Sequence, residues 1–148
     1  MNTPEFELTS HKHIDELLPM MKDFYEIDGY PFDEAQMRKA LGEFFSLHYF
    51  GRIWLIKLNS KVAGYMILTI SFSFEFGGKD AFLDELYIKQ SFRGKGIGNH
   101  AIAHLTKEAT SLGIHTLHLE VEKHNRAISL YKKWGFKEHN RFLMSKKI

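Results

Sequence analysis

The sequence predicts an α/β domain (α+β in its strand arrangement) built on a mixed sheet with helices on both faces. Two observations carry this expectation. Segments of period two and period 3.6 follow one another in the order βααβββαβαββ. The 148 residues, 44% of them hydrophobic, show no repeat, low-complexity tract or linker, so residues 1–148 read as one domain around a core of ordinary size.

The first strand is Phe6-Glu7-Leu8, after which Thr9 or Ser10 can cap a helix. Ile14, Leu17, Leu18, Met21, Phe24 and Tyr25 recur at helical spacing, and Pro19 among them predicts a kink or a late start. Asp28-Gly29-Tyr30-Pro31 ends that helix. Asp33 with Gln36 resembles a capping box for a second helix, whose apolar face holds Ala40, Leu41, Phe44 and Phe45. Ile53 to Ile56 and Val62 to Phe74 form a hairpin around Asn59-Ser60-Lys61, and Gly77-Gly78 turns the chain into a strand from Ala81 to Ile88. Ile97, Ala101, Leu105 and Leu112 mark a third helix that Gly113 can end. His115 to Val121 alternates, with Leu117, Leu119 and Val121 on one side and His118 and Glu120 on the other. Ala127, Leu130, Tyr131 and Trp134 make a last helical stripe. Phe136 and Phe142 to Met144 suggest two short closing strands.

Composition removes several kinds of chemistry. Cysteine is absent, so disulfides, thiolate metal sites and a cysteine nucleophile are excluded. Twenty Lys and Arg against 18 Asp and Glu leave a net charge of +2, far from the excess a nucleic-acid binder carries. The start, Met1 to Glu7, has no signal-like region and no run suited to a bilayer, so a soluble cytoplasmic protein without membrane partner is expected. His100 and His104 stand four apart on the third helix but fall away from its Ile97, Ala101, Leu105 stripe and lack a carboxylate partner, and His11-Lys12-His13 is no better. No metal is expected.

The segment Arg93-Gly94-Lys95-Gly96-Ile97-Gly98 lies between a strand and a helix. Backbone N–H groups exposed at a helix N-terminus attract phosphate, glycines allow close approach, and Arg93 and Lys95 add charge. A dinucleotide fingerprint also fits Gly96-Ile97-Gly98-Asn99-His100-Ala101, with Glu120 downstream. However, seven residues, Lys89 to Lys95, separate the strand from Gly96, and only about fifty remain after the loop, too few for that fold. A Walker loop fails for want of Gly-Lys-Ser or Gly-Lys-Thr.

These residues match the R/Q-x-x-G-x-G/A loop of the GNAT superfamily of acetyl-CoA-dependent N-acetyltransferases. Downstream, Asn125, Ala127, Leu130-Tyr131 and Gly135-Phe136 match its N-x-A-x-x-L-Y-x-x-x-G-F pattern, so the chain resembles that superfamily on two motifs in order. The resemblance implies a mostly antiparallel sheet of six to seven strands with about four helices. It also implies a splayed cleft between the fourth and fifth strands. Leu86, Tyr87 and Ile88 would run beside the pantetheine arm of acetyl-CoA, amides from Gly94 through Gly98 would hold the pyrophosphate, and Asn125 and Tyr131 would complete the cofactor site. A homodimer is implied as well.

Amine acetylation needs a neutral amine, an oxyanion donor and a proton for the departing thiolate. By resemblance Tyr131 is the acid. Strand parity puts Asp84 with Leu86 and Ile88, and Glu85 with Leu83 and Tyr87, unless a bulge switches the faces. In similar diamine acetyltransferases the Asp84 position faces substrate, with Glu85 and Glu120 as further candidate bases. Tyr25-Glu26 resembles the substrate-side pair of those enzymes. Asp28, Asp33 and Glu34, with Tyr30, Phe32, Phe72, Phe74 and Phe76 as aromatic walls, suit a small cationic amine. A protein or peptide amine is an alternative acceptor, and a non-catalytic acyl-CoA sensor an alternative function.

Overall fold

Lys61–Ser73 is apolar on both sides over its middle, as the central strand of a sheet covered on both faces must be. In a computed structural model, which describes residues 2–148, this segment is β3, paired antiparallel with β2 (Gly51–Leu58) and β4 (Gly78–Ile88). β1 (Glu5–Leu8) adds antiparallel to β2, and β5 (Thr116–Leu119) adds parallel to β4, giving the order β1-β2-β3-β4-β5. The parallel pair requires a crossover, which α3 (Ile97–Ser111) supplies.

Alternation along the strands divides the interior into two cores. Trp54, Ile56, Met66, Leu68, Ala81 and Leu83 meet Ile97, Ala101, Ile102 and Leu105 of α3 on one face. Ile53, Leu55, Tyr65, Ile67 and Tyr87 meet Leu17, Leu18, Met21 and Leu41 on the other, from α1 (Ile14–Ile27) and α2 (Glu34–Ser46). A short α4 (Ala127–Lys133) follows β5, and its Tyr131 packs on the α3-side core with Phe136. A 3-10 turn, His11–His13, leads directly into α1, which runs through Pro19 without ending. Asp33 caps α2 by accepting from the Gln36 amide at 3.0 Å.

The sheet has five strands, fewer than the six to seven expected. Neither Phe136 nor Phe142 to Met144 forms a strand. Alternation selects a face only where a partner edge is available, and these residues pair with none among those described. Phe142 and Met144 are 96% and 89% exposed, and the tail is tied down by an Arg141–Glu75 ion pair at 2.9 Å. The fifth strand is also shorter than expected, ending at Leu119. Met1, the first residue of the N-terminal reading, lies outside the described residues. No helix among the described residues is long and apolar enough to cross a membrane.

Leu105 is wholly buried at the centre of the α3 stripe. Leu105→Ala should cost about 2–5 kcal/mol, read as a lower urea midpoint at unchanged m-value. A loss below about 1 kcal/mol would show that α3 does not carry that core.

Candidate active site

Pairing between β4 and β5 runs from Asp80 opposite Thr116 to Leu83 opposite Leu119 and then stops, although β4 continues to Ile88. From Asp84 onward the β5-side edge of β4 has no strand partner. At the same point β4 carries an extra residue: Glu85 pairs with Ile67 and Leu83 with Leu68, so Asp84 has no partner in β3. This is a β-bulge, which bends and twists a strand away from its neighbour.

The bulge also corrects the parity expected from the sequence. Leu83 faces the α3-side core, and so do Leu86 and Ile88, whereas Tyr87 packs in the core under α1 and Glu85 bonds to groups there. Asp84 and Glu85 do not divide between the faces as simple alternation requires: Leu83 and Leu86 both enter the α3-side core, and the bulge places both acids between them.

Glu85 is only 8% exposed, and each of its oxygens is occupied. Tyr65 Oη donates to Oε1 at 2.7 Å, and Tyr25 Oη donates to Oε2 at 2.9 Å. Burial raises the Glu85 pKa above its ordinary 4.5, against the lowering effect of the two phenols. Tyr25 and Tyr65 are themselves raised, first by burial and then by the Glu85 charge. Glu85 thus joins β4, β3 and α1, while Asp84 is open to solvent yet walled closely enough that desolvation raises its carboxyl. Sequence reasoning missed Tyr65. The available signal was a tyrosine within a buried strand, whose hydroxyl must find a partner.

On the α3 side, a 3-10 turn at Gln90–Phe92 follows β4 and delivers the chain to the glycine loop. Gly94 and Gly96 have φ of +74° and +77°, left-handed values that glycine adopts without strain. They direct the chain into the first turn of α3, whose unpaired amides form the positive end of a 15-residue helix. Gly98 also serves packing: a Cβ there would stand 2.9 Å from Leu130 Cδ2, so its absence lets α4 approach α3. Trp134 Nε1 donates to Asn99 Oδ1 at 3.0 Å across the same contact. Arg93 Nε donates to the Ile88 carbonyl at 2.8 Å, with its guanidinium 6.0 Å from the Tyr87 ring, and Lys95 lies over Phe92 at 5.3 Å. Asn125 Oδ1 accepts from the Ala127 amide at 2.8 Å, so its side chain caps α4. Tyr131 is partly buried edge-on to Phe136 at 5.9 Å, and burial raises its pKa.

On the α1 side, Tyr25 also walls a recess of about 310 Å³ with Phe32, Asp33 and Met37. Glu26 and Glu120 are exposed. Tyr30 donates to Glu122, and Asp28 pairs with His124 at 3.5 Å, joining the loop after α1 to the chain after β5. Of the expected aromatic walls, Phe72 and Phe74 are exposed on the β3–β4 hairpin, and Phe76 packs against His118. His100 is exposed. His104 departs from the expectation that it leaves the apolar face, because its ring stacks on Phe6 at 4.3 Å and meets Trp54 edge-on.

Residues 15–136 match the model of the acetyltransferase (GNAT) family, and the chain belongs to that family. It is 38% identical over 98 residues to an uncharacterised N-acetyltransferase of Bacillus subtilis, YycN, covering 65% of this chain and 61% of that protein. Over 75 residues it is 36% identical to thialysine N-epsilon-acetyltransferase of Bos taurus, covering 50% of this chain and 44% of the relative. The matched stretches therefore span about half the length of these curated relatives. The fold is also that of a predicted acetyltransferase from Clostridium acetobutylicum crystallised with acetyl-CoA, at TM-score 0.82 and 18% identity over 97% of this chain and 96% of that one.

The raised pKa of Glu85 has a sign that can be tested. Above its ordinary 4.5, the native state holds this proton more tightly than the unfolded chain does. Its contribution is fully present below 4.5 and is lost as pH rises through the raised native value. Glu85→Gln cannot ionise and keeps the shape, its amide oxygen accepting from one phenol and its NH2 donating to the other. Wild-type stability should therefore fall relative to Glu85→Gln as urea unfolding is repeated upward from about pH 4. A difference that does not change with pH would contradict the buried, raised carboxyl.

Proposed function

We propose that this chain transfers the acetyl group of acetyl-CoA to a primary amine by direct attack within a ternary complex, and that the acceptor is a small cationic amine. The observation that carries this reading is the opening between β4 and β5, with the glycine loop on one side and Asp84 on the other. Family membership supports the reaction, the acetyl-CoA held by the Clostridium relative in fold supports the donor, and the substrate named for the bovine relative supports the acceptor.

Amides from Gly94 through Gly98 would hold the pyrophosphate, with Arg93 and Lys95 supplying charge. The open edge of β4 at Leu86, Tyr87 and Ile88 offers backbone partners to the pantetheine arm, once Arg93 yields the Ile88 carbonyl. The Asn125 segment lies beyond, at the start of α4. Tyr131 would protonate the departing thiolate. Desolvation penalises phenolate and thiolate alike, so its proton stays on oxygen until a buried anion forms on sulfur. Asp84 would draw the ammonium of the acceptor, with Tyr25, Glu26 and Glu120 as the further substrate-side residues of this reading, and Glu85 would hold the strand beneath. A homodimer belongs to this reading through the family resemblance.

Thiol release from acetyl-CoA, measured with polyamines, amino acids, aminoglycosides and peptides, tests the assignment. Acetyl-CoA binding without amine-dependent release would sink it in favour of a sensor. Tyr131→Phe should lower kcat about 100-fold with acetyl-CoA affinity within about twofold, as expected for loss of a general acid. Unchanged kcat would remove Tyr131 from that role. Asp84→Asn should raise KM for cationic amines about fivefold, the effect of one partly solvated charge, and leave neutral acceptors unaffected.

A further inference from the structure

A second hydrogen-bonded chain on the α1 side of the sheet has no part in the reading above. Ser71 Oγ donates to Asp80 Oδ1 at 2.6 Å, and His118 Nε2 bonds to Asp80 Oδ2 at 2.9 Å. Asp80 is 5% exposed, and the His118 ring lies between Phe76 and Phe82, with centroids 4.6 and 5.0 Å away. Three strands therefore fix one imidazole.

Its position matters because β5 ends one residue later. His118 stands opposite Phe82, two residues before the bulge at Asp84 on β4 and two before Glu120 on its own chain. Leu117 and Leu119 point into the α3-side core, so the imidazole is on the opposite face, the one that holds Glu85 and its partner Tyr25. Asp80 can only accept, which assigns the ring proton to Nε2 and leaves the lone pair on Nδ1. Among the described residues Nδ1 has no hydrogen-bond partner, and it is not one of the sealed polar atoms. A carboxylate fixing the tautomer of an imidazole whose other nitrogen is free is the arrangement of a general base.

We propose that His118, held by Asp80 and Ser71, accepts the proton of the substrate ammonium at the mouth of the cleft. The role rests on the acetyltransferase reading. Nδ1 takes one proton from R–NH3+, and the Asp80 carboxylate balances the imidazolium. The freed nitrogen lone pair forms the N–C bond to the thioester carbonyl. As C–S breaks, sulfur takes a proton from Tyr131, which regains one from the N–H of the tetrahedral adduct, and His118 returns its proton to solvent. The sum is R–NH3+ plus acetyl-CoA giving the N-acetyl amide, CoA thiol and one H+. Groups around the imidazole are Asp80 and Ser71, Glu120 just past the end of β5, and, behind Phe76, His139 and the Glu75–Arg141 pair.

A base for an ammonium is dispensable when the acceptor is already neutral, and this separates catalysis from support of the fold. An alkyl diamine and a hydrazide of similar length should be compared as acceptors, with acetyl-CoA affinity measured for every variant. His118→Gln should lower kcat/KM for the diamine about 100-fold or more and for the hydrazide less than about fivefold, with the ascending limb of the diamine pH profile displaced upward to follow deprotonation of the free amine. Asp80→Asn should show the same selectivity at smaller amplitude. Equal losses for both acceptors, or none, would overturn the role. Should either variant fold poorly, 15N-histidine spectra of the wild type decide: His118 must carry its proton on Nε2, and Nδ1 must shift when the diamine is added to the CoA complex. A protonated Nδ1 would also overturn it. A wild type that binds acetyl-CoA and acetylates no amine would sink the acetyltransferase reading with it, whereas an active wild type indifferent to His118→Gln removes this role alone.

Discussion

One extra residue in β4 governs the geometry of the cleft. Asp84 has no partner across β3, and the β4–β5 ladder ends at the residue before it. A bulge increases local twist, and β4 leaves its parallel neighbour where that twist is added. The same insertion reverses the side-chain parity. Leu83 and Leu86 both enter the α3-side core although they are an odd number of residues apart, and Glu85 bonds to Tyr65 and Tyr25 on the other side. Without the bulge, continuing the alternation of Ala81 and Leu83 would press the Glu85 carboxylate into the core beside Leu105, unpaired and at a cost of several kcal/mol.

Glu85 then shows how such a site is tolerated. Burying a carboxylate is unfavourable, and two phenols from β3 and α1 offset the loss of water. Because Tyr25 belongs to α1, this bond ties the helix bearing Glu26 to the strand bearing Asp84. The two acids at the bulge consequently differ in kind. One is sealed and doubly bonded, and the other is open to solvent and available to a ligand.

What could be read from the chain divides along the same line. Helical stripes, the Asp33 cap and the glycine loop depend on residues a few positions apart, so sequence displays them directly. The closing strands needed a free partner edge, and the alternation of Phe142 to Met144 carries no information about one. Asp84 and Glu85 are legible as residues while their faces are not, since a bulge leaves no mark in composition. Asn125 belongs to the family motif, yet its side chain caps α4, and Gly98 serves helix packing. A motif records that a residue type is required and leaves open which contact requires it.

The proposed donor and acceptor sites also differ in how they are assembled. The α3-side elements run almost continuously from Leu86 to Tyr131, so two motifs a short way apart are enough for the loop to resemble that of the acetyltransferase (GNAT) family. The α1-side surface draws Tyr25 from α1, Ser71 from β3, Asp80 and Asp84 from β4 and His118 from β5. These positions are separated by up to most of the chain and meet only through strand register. A single register shift in β4 would move Asp80 away from His118 and return Asp84 to the opposite face. The proposed acceptor surface is therefore a property of pairing more than of local sequence, which is why the sequence displays the glycine loop and conceals the residues that face it.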